Sequence, residues 1–520
     1  MWPSACRVVE LKRGLKRLQA ILVPEATGLA ARVEPDFQSR PPTDGEARYL
    51  ARRRDVKKAP SIQRQVVMVD RSPMSHRTDV IVVGAGLSGL CSARELVQLG
   101  KDVVILEARD RVGGRMLRKS VIDGGWIDLG GQWIGPTQAN ILSLAKSLGV
   151  KYFDSYDAGR TVISYRGALT TIDGPFPPDA AIPTVTTDGI DEAHRVWERF
   201  RSLAATVNVE RPWLTTDSAD FDAQTVTSWL ATATNSDFAR FCVSNWVLNQ
   251  EGADPGATSM LFAIASYAAG PDEDEPEHSL FDGAAGQIPE RIAEELGDRI
   301  VLGKPVTRIT QQADGVTVAA GDQEYCAEFV IVAVPPHLAG AIDYYPPLPA
   351  PRMQFTQRAP MGSVIKYAAV YPTAWWRAKG LSGASISDGD VLLTADSSPP
   401  SGIPGILTGF VAGAAAVRLT YQSENARRHH VVSEIVTYFG EDARHPVEFI
   451  EMNWLGEKWT GGAYNAVLAP NTLTTYGPAM TEPVGRIHWA GTEMSAKWTG
   501  YFEGAVLAGY TAAHAVLGSP

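Results

Sequence analysis

The chain has 520 residues, 45% of them apolar and 20% charged, the make-up of a folded protein and too apolar for a disordered one. A single core stops growing near about 250–300 residues, so this length implies at least two domains. The net charge of −10 hides an asymmetry, because residues 1–77 hold 16 Lys+Arg against 8 Asp+Glu and the remainder holds 32 against 50; an acidic body argues against a nucleic-acid partner and mildly favours cationic small molecules.

Residues 1–77 carry Arg52-Arg53-Arg54 and Lys57-Lys58, scattered prolines and little apolar periodicity, the pattern of a basic, disordered leader. Acidic residues within it disfavour a transit peptide, and no apolar stretch follows the first basic residues as in a signal peptide. Met74 stands just ahead of the first strand and is a candidate start of the folded body. From Asp79 the pattern changes to a buried strand at Val80–Val83, a glycine loop, an apolar-periodic helix through Leu87, Leu90, Ala93, Leu96 and Val97, and a second strand at Val103–Leu106. This is a β-α-β unit of parallel strands with a crossover helix. Further on, strands are predicted around Val306–Ile309, Val316–Val318 and Phe329–Val334. The acidic run Asp272-Glu273-Asp274-Glu275 reads as an exposed loop, and Arg486–Ala490 leads into a last helix over Tyr501–Val516.

Within the first unit stands Gly84-Ala85-Gly86-Leu87-Ser88-Gly89, a GxGxxG between strand and helix, with Glu107 ending the second strand. Gly84 permits the tight turn, Gly86 lets the backbone approach a pyrophosphate, and Gly89 allows close helix–strand packing. The helix N-terminus offers free N–H groups, and Glu107 would accept ribose hydroxyls. After Glu107 come Arg109, Arg111, Gly114 and Arg115, then Gly130 and Gly131, a length of glycine-rich backbone and cationic side chains suited to an extended flavin dinucleotide. For Arg109 and Arg111, surface ion pairing is the rival reading.

With these residues in place, the chain resembles the flavin-containing amine oxidase family, of the monoamine oxidase type. The resemblance rests on GAGLSGL from Gly84, EARDRVGGR from Glu107, DLGGQWIGPTQ from Asp128, PMGSVIK ending at Lys366, NWLGEKWTGGAY ending at Tyr464 and AGTEMSAKWTGYFEGAV from Ala490, and it covers about residues 79–518. It implies an α/β fold: a Rossmann-type FAD-binding domain assembled from three segments (78–152, 282–355 and 456–518), interleaved with an α+β substrate domain from 153–281 and 356–455. It further implies that Ser88, Glu107, Arg109, Gly114, Arg115, Gly131 and Trp133 contact FAD, that the Val306 backbone holds the adenine, and that Thr492 and Tyr501 lie at the flavin ring. Tyr464 and Tyr501 match the two rings that flank the substrate amine. Lys366 matches a lysine that assists, through a water, the reaction of reduced flavin with oxygen, and Trp454 matches a tryptophan packed on the flavin and this lysine. Ordinary core aromatics are the rival reading of Tyr464, Tyr501 and Trp454.

Two departures qualify the resemblance. Ala463 stands where animal monoamine oxidases place the cysteine that links FAD covalently, so non-covalent FAD is expected. No glutamine matches the one some relatives use beside the substrate, at least within Ser266–Gly270. The resulting expectation is oxidation of a small-molecule amine to an imine, hydrolysed to an aldehyde or ketone, with molecular oxygen reduced to hydrogen peroxide. The alternatives are a desaturase or protoporphyrinogen-type oxidase, and a non-catalytic flavin-binding module. Four scattered cysteines without a CxxC pair argue against a metal site or disulfide scaffold and for a reducing, cytoplasmic setting. No apolar run reaches the roughly 18–20 residues of a membrane span, so a soluble protein is expected; the sequence leaves a homodimer open.

Overall fold

The computed structural model describes residues 77–270 and 275–518. The expectations for residues 1–76 and for Asp272–Asp274 lie outside the described residues. In chain order the elements that position the site are β1 (Thr78–Val83), α1 (Leu87–Gln98), β2 (Val103–Leu106), β3 (Arg160–Tyr165), β4 (Ala168–Ile172), α2 (Thr187–Ala204), α3 (Asp237–Glu251) and α4 (Met260–Ala268). They continue with β5 (Ile300–Val301), β6 (Val306–Gln312), β7 (Gly315–Ala320), β8 (Gln323–Val332), β9 (Asp343–Tyr345), β10 (Val364–Tyr371) and β11 (Leu381–Ser387). Last come β12 (Leu393–Asp396), β13 (Gly405–Ala412), β14 (Glu448–Asn453), β15 (Ile487–Trp489) and α5 (Phe502–Leu517).

The first sheet has the order β5-β2-β1-β8-β7-β6-β9, with β15 also paired to β8. Strand β1 runs parallel to β2 and to β8, with Val80 opposite Val103 and Phe329. Parallel strands covered on both faces read as unbroken apolar runs, and the pleat divides these between two cores. Val80, Val82, Val103 and Ile105 pack under helices α1 and α5. Ile81, Val83, Leu106 and Val330 face the opposite side, with Tyr344 and Trp489. The long β8 pairs at its start with β7 and at Val330–Val332 with β15, so chain ends far apart in sequence meet on one strand.

The second sheet has the order β14-β10-β13-β12-β11-β3-β4. All eight residues of β10 are buried, Lys366 among them. Helices α2, α3 and α4 pack beside this sheet around an aromatic cluster in which Trp197 stacks on Phe200 at 5.6 Å and Phe200 meets Trp246 at 5.2 Å. Offset and edge-on ring pairs of this kind add to the burial of their area.

At the junction of β1 and α1, Gly84 has φ +101°, and its Cβ would lie 2.9 Å from Ala333 O, just past the end of β8. A Cβ on Gly89 would run into Gly84 O and press within 3.2 Å of Val82 and Ala333. The helix therefore sits on the sheet at a distance only glycine allows. Gly89→Ala is expected to lower stability by about 1–3 kcal/mol through overpacking, measured by urea unfolding; a parental midpoint and slope would refute this contact.

Candidate active site

The glycine turn, the end of β2 and the start of β6 frame one end of a cavity of about 430 Å³. Glu107 is 3% exposed. Its Oε2 accepts the Ala85 N–H at 2.7 Å and its Oε1 the Arg109 N–H at 2.9 Å, so backbone on both sides fixes the carboxylate. The Arg109 guanidinium lies 3.7 Å from Glu107 and 3.6 Å from Glu457 and donates to Thr460 Oγ1. Arg111 donates to the carbonyls of Val112 and Gly114 at 3.1 Å. Neither arginine is a surface ion pair: Arg109 is buried between two segments, and Arg111 braces its own turn. Ser88, in the first turn of α1, accepts the Gly491 N–H at 2.9 Å. Val306, at the start of β6, also lines the cavity.

From there the cavity follows bare backbone. A Cβ on Gly86 would meet nothing nearer than Gly114 Cα at 4.0 Å, and Gly114 faces it across the strip. A Cβ on Gly131 would strike the Phe502 ring, so α5 presses directly on the Gly130-Gly131 turn. The cradle thus runs from a buried acid, past helix N–H groups and open glycines, to an aromatic end, which fits an extended dinucleotide.

At the aromatic end, Lys366 projects from β10 with 2% exposure. Its ammonium donates to Gly130 O at 2.7 Å and to Gln132 Oε1, and it lies 5.3 Å from the Trp133 ring centroid and 5.4 Å from that of Phe410. Gln132 is held in turn by Ser397 Oγ at 2.8 Å. Burial pushes the Lys366 ammonium well below the ordinary lysine range, against the pull of Asp128 and Glu277. The same burial pushes the Asp128 carboxyl up, against the N–H groups of Ala285 and Gly286 and the charge of Lys366. Trp454 is buried, and its Nε1 donates to Leu129 O at 2.9 Å.

Tyr464 and Tyr501 both line this end. Tyr464 meets Phe410 edge-on at 5.6 Å. Tyr501 caps the start of α5, meets Trp498 edge-on at 5.3 Å and donates its hydroxyl to Gln250 Oε1 at 3.2 Å. Thr492 Oγ1 accepts the Gly500 N–H at 2.8 Å and donates to Tyr501 O at 3.1 Å, closing the loop ahead of the helix. Beside Tyr464, Arg115 forms a two-point ion pair with Glu493 at 2.6 and 3.0 Å and donates to Tyr464 O at 2.7 Å. Burial alone would raise the Glu493 carboxyl, but Arg115 overrides it and holds the group below the ordinary range.

Every residue singled out from the sequence contributes to this cavity or to the backbone frame around it. Several that matter were missed. Gln132 and Glu493 stood unremarked inside quoted motifs, and Phe410 and Glu277 carry no motif. A glutamine does line the ring end, away from Ser266: Gln250, in the last turn of α3, with Asn249 beside it. No spacing rule in the sequence connects that helix end to Tyr501, 251 positions away.

A buried acid, a glycine strip and an aromatic end carrying a lysine define an oxidoreductase site for a dinucleotide cofactor. A family profile described as flavin containing amine oxidoreductase matches residues 87–517, and one described as pyridine nucleotide-disulphide oxidoreductase matches residues 26–124. The chain is 39% identical over 451 residues to an L-amino acid dehydrogenase of Synechocystis, covering 85% of this chain and 96% of that one. It is 34% identical over 474 residues to amine oxidase [flavin-containing] B of Mus musculus, covering 85% and 87%. Among solved structures it resembles putrescine oxidase bound to putrescine and a cyclohexylamine oxidase from Brevibacterium oxydans, each with a TM-score of 0.80, 32% identity and coverage of 85% of this chain and 99% of the other. The chain belongs to the flavin-containing amine oxidoreductase family, and its cofactor is FAD.

Removing one member of a buried ion pair strands the other, so Glu493→Ala is expected to lower stability by about 3 kcal/mol in urea unfolding. Because the Glu493 carboxyl is depressed in the folded protein, this contribution is full above the unfolded value of 4.5 and is lost as pH falls through the depressed value. A variant as stable as the parent at neutral pH would show that Arg115 does not depend on this partner.

Proposed function

We propose that this FAD-dependent amine-oxidising protein binds the reacting amine between Tyr464 and Tyr501, with Lys366 serving the oxygen side of the reaction. The observation that carries this reading is the convergence of these three side chains at one end of a single cavity whose other end suits a nucleotide. FAD supplies a two-electron hydride acceptor when bound. The flavin-binding part is read as the segments 78–152, 282–355 and 456–518, the substrate part as 153–281 and 356–455. Non-covalent attachment follows from Ala463, which offers no thiol.

The protein's own groups do the rest. The faces of Tyr464 and Tyr501 orient an amine nitrogen, and the surrounding Trp133, Phe410 and Trp454 exclude water. A neutral amine keeps the lone pair that stabilises the positive charge developing as its α-carbon loses hydride, and an apolar site disfavours the ammonium form. The imine leaves and is hydrolysed by water. Oxygen would then take from the reduced cofactor the two electrons and one proton that came from the amine as hydride. Lys366, held by Gly130 and Gln132, would offer positive charge to the oxygen as it becomes negative and the second proton of hydrogen peroxide.

The Synechocystis relative supports a second reading, in which an L-amino acid is the donor and a carrier other than oxygen the acceptor. A substrate carboxylate needs a cation at the ring end. Arg115 is committed to Glu493 there and burial drives Lys366 toward its neutral form, which counts against a carboxylate-bearing donor. Anaerobic flavin reduction with cyclohexylamine, putrescine, benzylamine and L-amino acids separates the donors, and reoxidation by oxygen against a quinone separates the acceptors. Reduction by L-amino acids alone would overturn the amine reading. Among the described residues no helix is long and apolar enough to cross a membrane. Buried, unpaired Cys91 and Cys242 suit a reducing compartment, and we place the protein in the cytoplasm.

Three outcomes follow from this reading. Acid precipitation of the holoenzyme should release all flavin colour into the supernatant; colour retained in the pellet would mean a covalent link elsewhere. In stopped-flow absorbance, Tyr501→Ala should slow anaerobic reduction by about 10²-fold, the order expected for a misplaced reacting group. Lys366→Met should leave reduction close to parental and slow reoxidation by oxygen. A Lys366→Met protein that reoxidised at the parental rate would reduce this lysine to a buried structural group.

A further inference from the structure

The last turn of α3 brings three polar residues to the ring end, Asn249, Gln250 and Glu251. The first two line the cavity, and Gln250 holds the Tyr501 hydroxyl. Glu251 is not part of the lining and is fully buried. Its Oε2 accepts Asn465 Nδ2 at 3.2 Å, from the residue next to Tyr464. Backbone contacts press the same surfaces together: Ser363 N donates to Gly252 O at 2.7 Å, Gly362 N to Asn465 O at 3.0 Å, and Ala463 N to Gly362 O at 2.9 Å. One helix end therefore reaches both tyrosines, Tyr501 through Gln250 and Tyr464 through Glu251 and Asn465.

Three buried polar atoms at this junction have no hydrogen-bond partner: Glu251 Oε1, Asn465 Oδ1 and Ser266 Oγ. The Ser266 hydroxyl on α4 is near enough to act on the charge of Glu251, though outside hydrogen-bond geometry. An ionised Glu251 would only accept, as does Asn465 Oδ1, so its Oε1 and the Asn465 Oδ1 would both stay buried without a donor. A proton on Glu251 Oε1 supplies the missing donor. We propose that Glu251, in its protonated form, is the positioning residue that locks both cage tyrosines to the end of α3. The inference rests on the reading of Tyr464 and Tyr501 as the amine cage.

The surroundings agree. Burial pushes the Glu251 carboxyl up to about 7, opposed only by Ser266 and Asn465. Charged groups on the neighbouring segments include Asp254 beyond the helix end, Asp222 against the start of α4 and the Arg115–Glu493 pair under Tyr464. Tyr464 itself is held neutral by burial. A carboxyl raised from 4.5 to about 7 keeps a proton that the unfolded chain has released, so its stabilising contribution is full below 4.5 and is lost as pH rises through about 7.

Glu251→Gln keeps the shape and cannot ionise. Two quantities are read on the holoenzyme between about pH 5.5 and about pH 9, the range that brackets this titration: the thermal midpoint, and the anaerobic flavin reduction rate at saturating amine, using whichever amine of the panel above reduces it. In the parent, the midpoint should fall as pH rises and reduction should slow by about tenfold; in Glu251→Gln both falls should disappear. A variant that keeps both falls overturns the proposal. A midpoint that flattens while the rate profile stays parental shows that the proton stabilises the fold without positioning the cage, which also overturns it. The midpoint arm needs no amine, so failure of the cage reading, seen as Tyr501→Ala reducing at the parental rate, is distinguishable. If Glu251→Gln does not fold, Ser266→Ala takes its place: losing the hydroxyl beside this carboxyl should shift both falls along the pH axis, and unmoved falls overturn the proposal.

Discussion

The ring end of the cavity hangs on one buried ion pair. Arg115 follows the Gly113-Gly114 turn near the start of the folded chain, and Glu493 precedes the last helix, 378 positions later. Between them they hold a third segment, since Arg115 donates to Tyr464 O and Glu493 accepts the Ala466 N–H. Such a pair contributes little net stability over a well-packed apolar alternative, because both charges lose their hydration. What it does fix is register. The turn carrying Gly114, the strip carrying Tyr464 and the loop carrying Thr492 can form the pair in only one mutual arrangement.

Around that pair the interior is arranged to carry little charge. Burial drives Lys366 and Glu251 toward their neutral forms from opposite directions, the lysine losing affinity for its proton and the acid gaining it. Both lie on the second sheet or the helix beside it, and both are buried. The nucleotide end differs: the Arg109 guanidinium lies 3.7 Å from the Glu107 carboxylate, which also accepts the Arg109 backbone N–H. One cavity thus joins a charged end suited to a sugar–phosphate ligand and an end suited to a neutral amine.

The glycine strip joins the two ends physically. Gly86 and Gly114 leave the cavity floor as backbone alone, and Gly89 lets α1 settle on β1 without a side chain between them. The adjoining sheet gives this strip its rigidity, since β1 lies between two parallel neighbours and cannot move without breaking two ladders.

The β-α-β unit, the glycine roles and Glu107 were legible in the sequence because they are local: turn geometry, helix start and strand end all fall within some thirty residues, and backbone sterics act at that range. Lys366 came from motif resemblance, and the cost of a cation in a fully buried strand became visible only in the fold. Tyr464, Tyr501 and Trp454 came from motif resemblance alone, with their partners invisible. The partners were decided by tertiary structure: Glu493 for Arg115, Gln132 for Lys366, Gln250 for Tyr501 and Glu251 for Asn465. Gln132 sits in a quoted motif, yet its contact with Lys366 spans 234 positions. Hydrogen bonds and ion pairs depend on distances of about 3 Å, and sequence order does not encode which segments reach that distance once two sheets and their helices pack together.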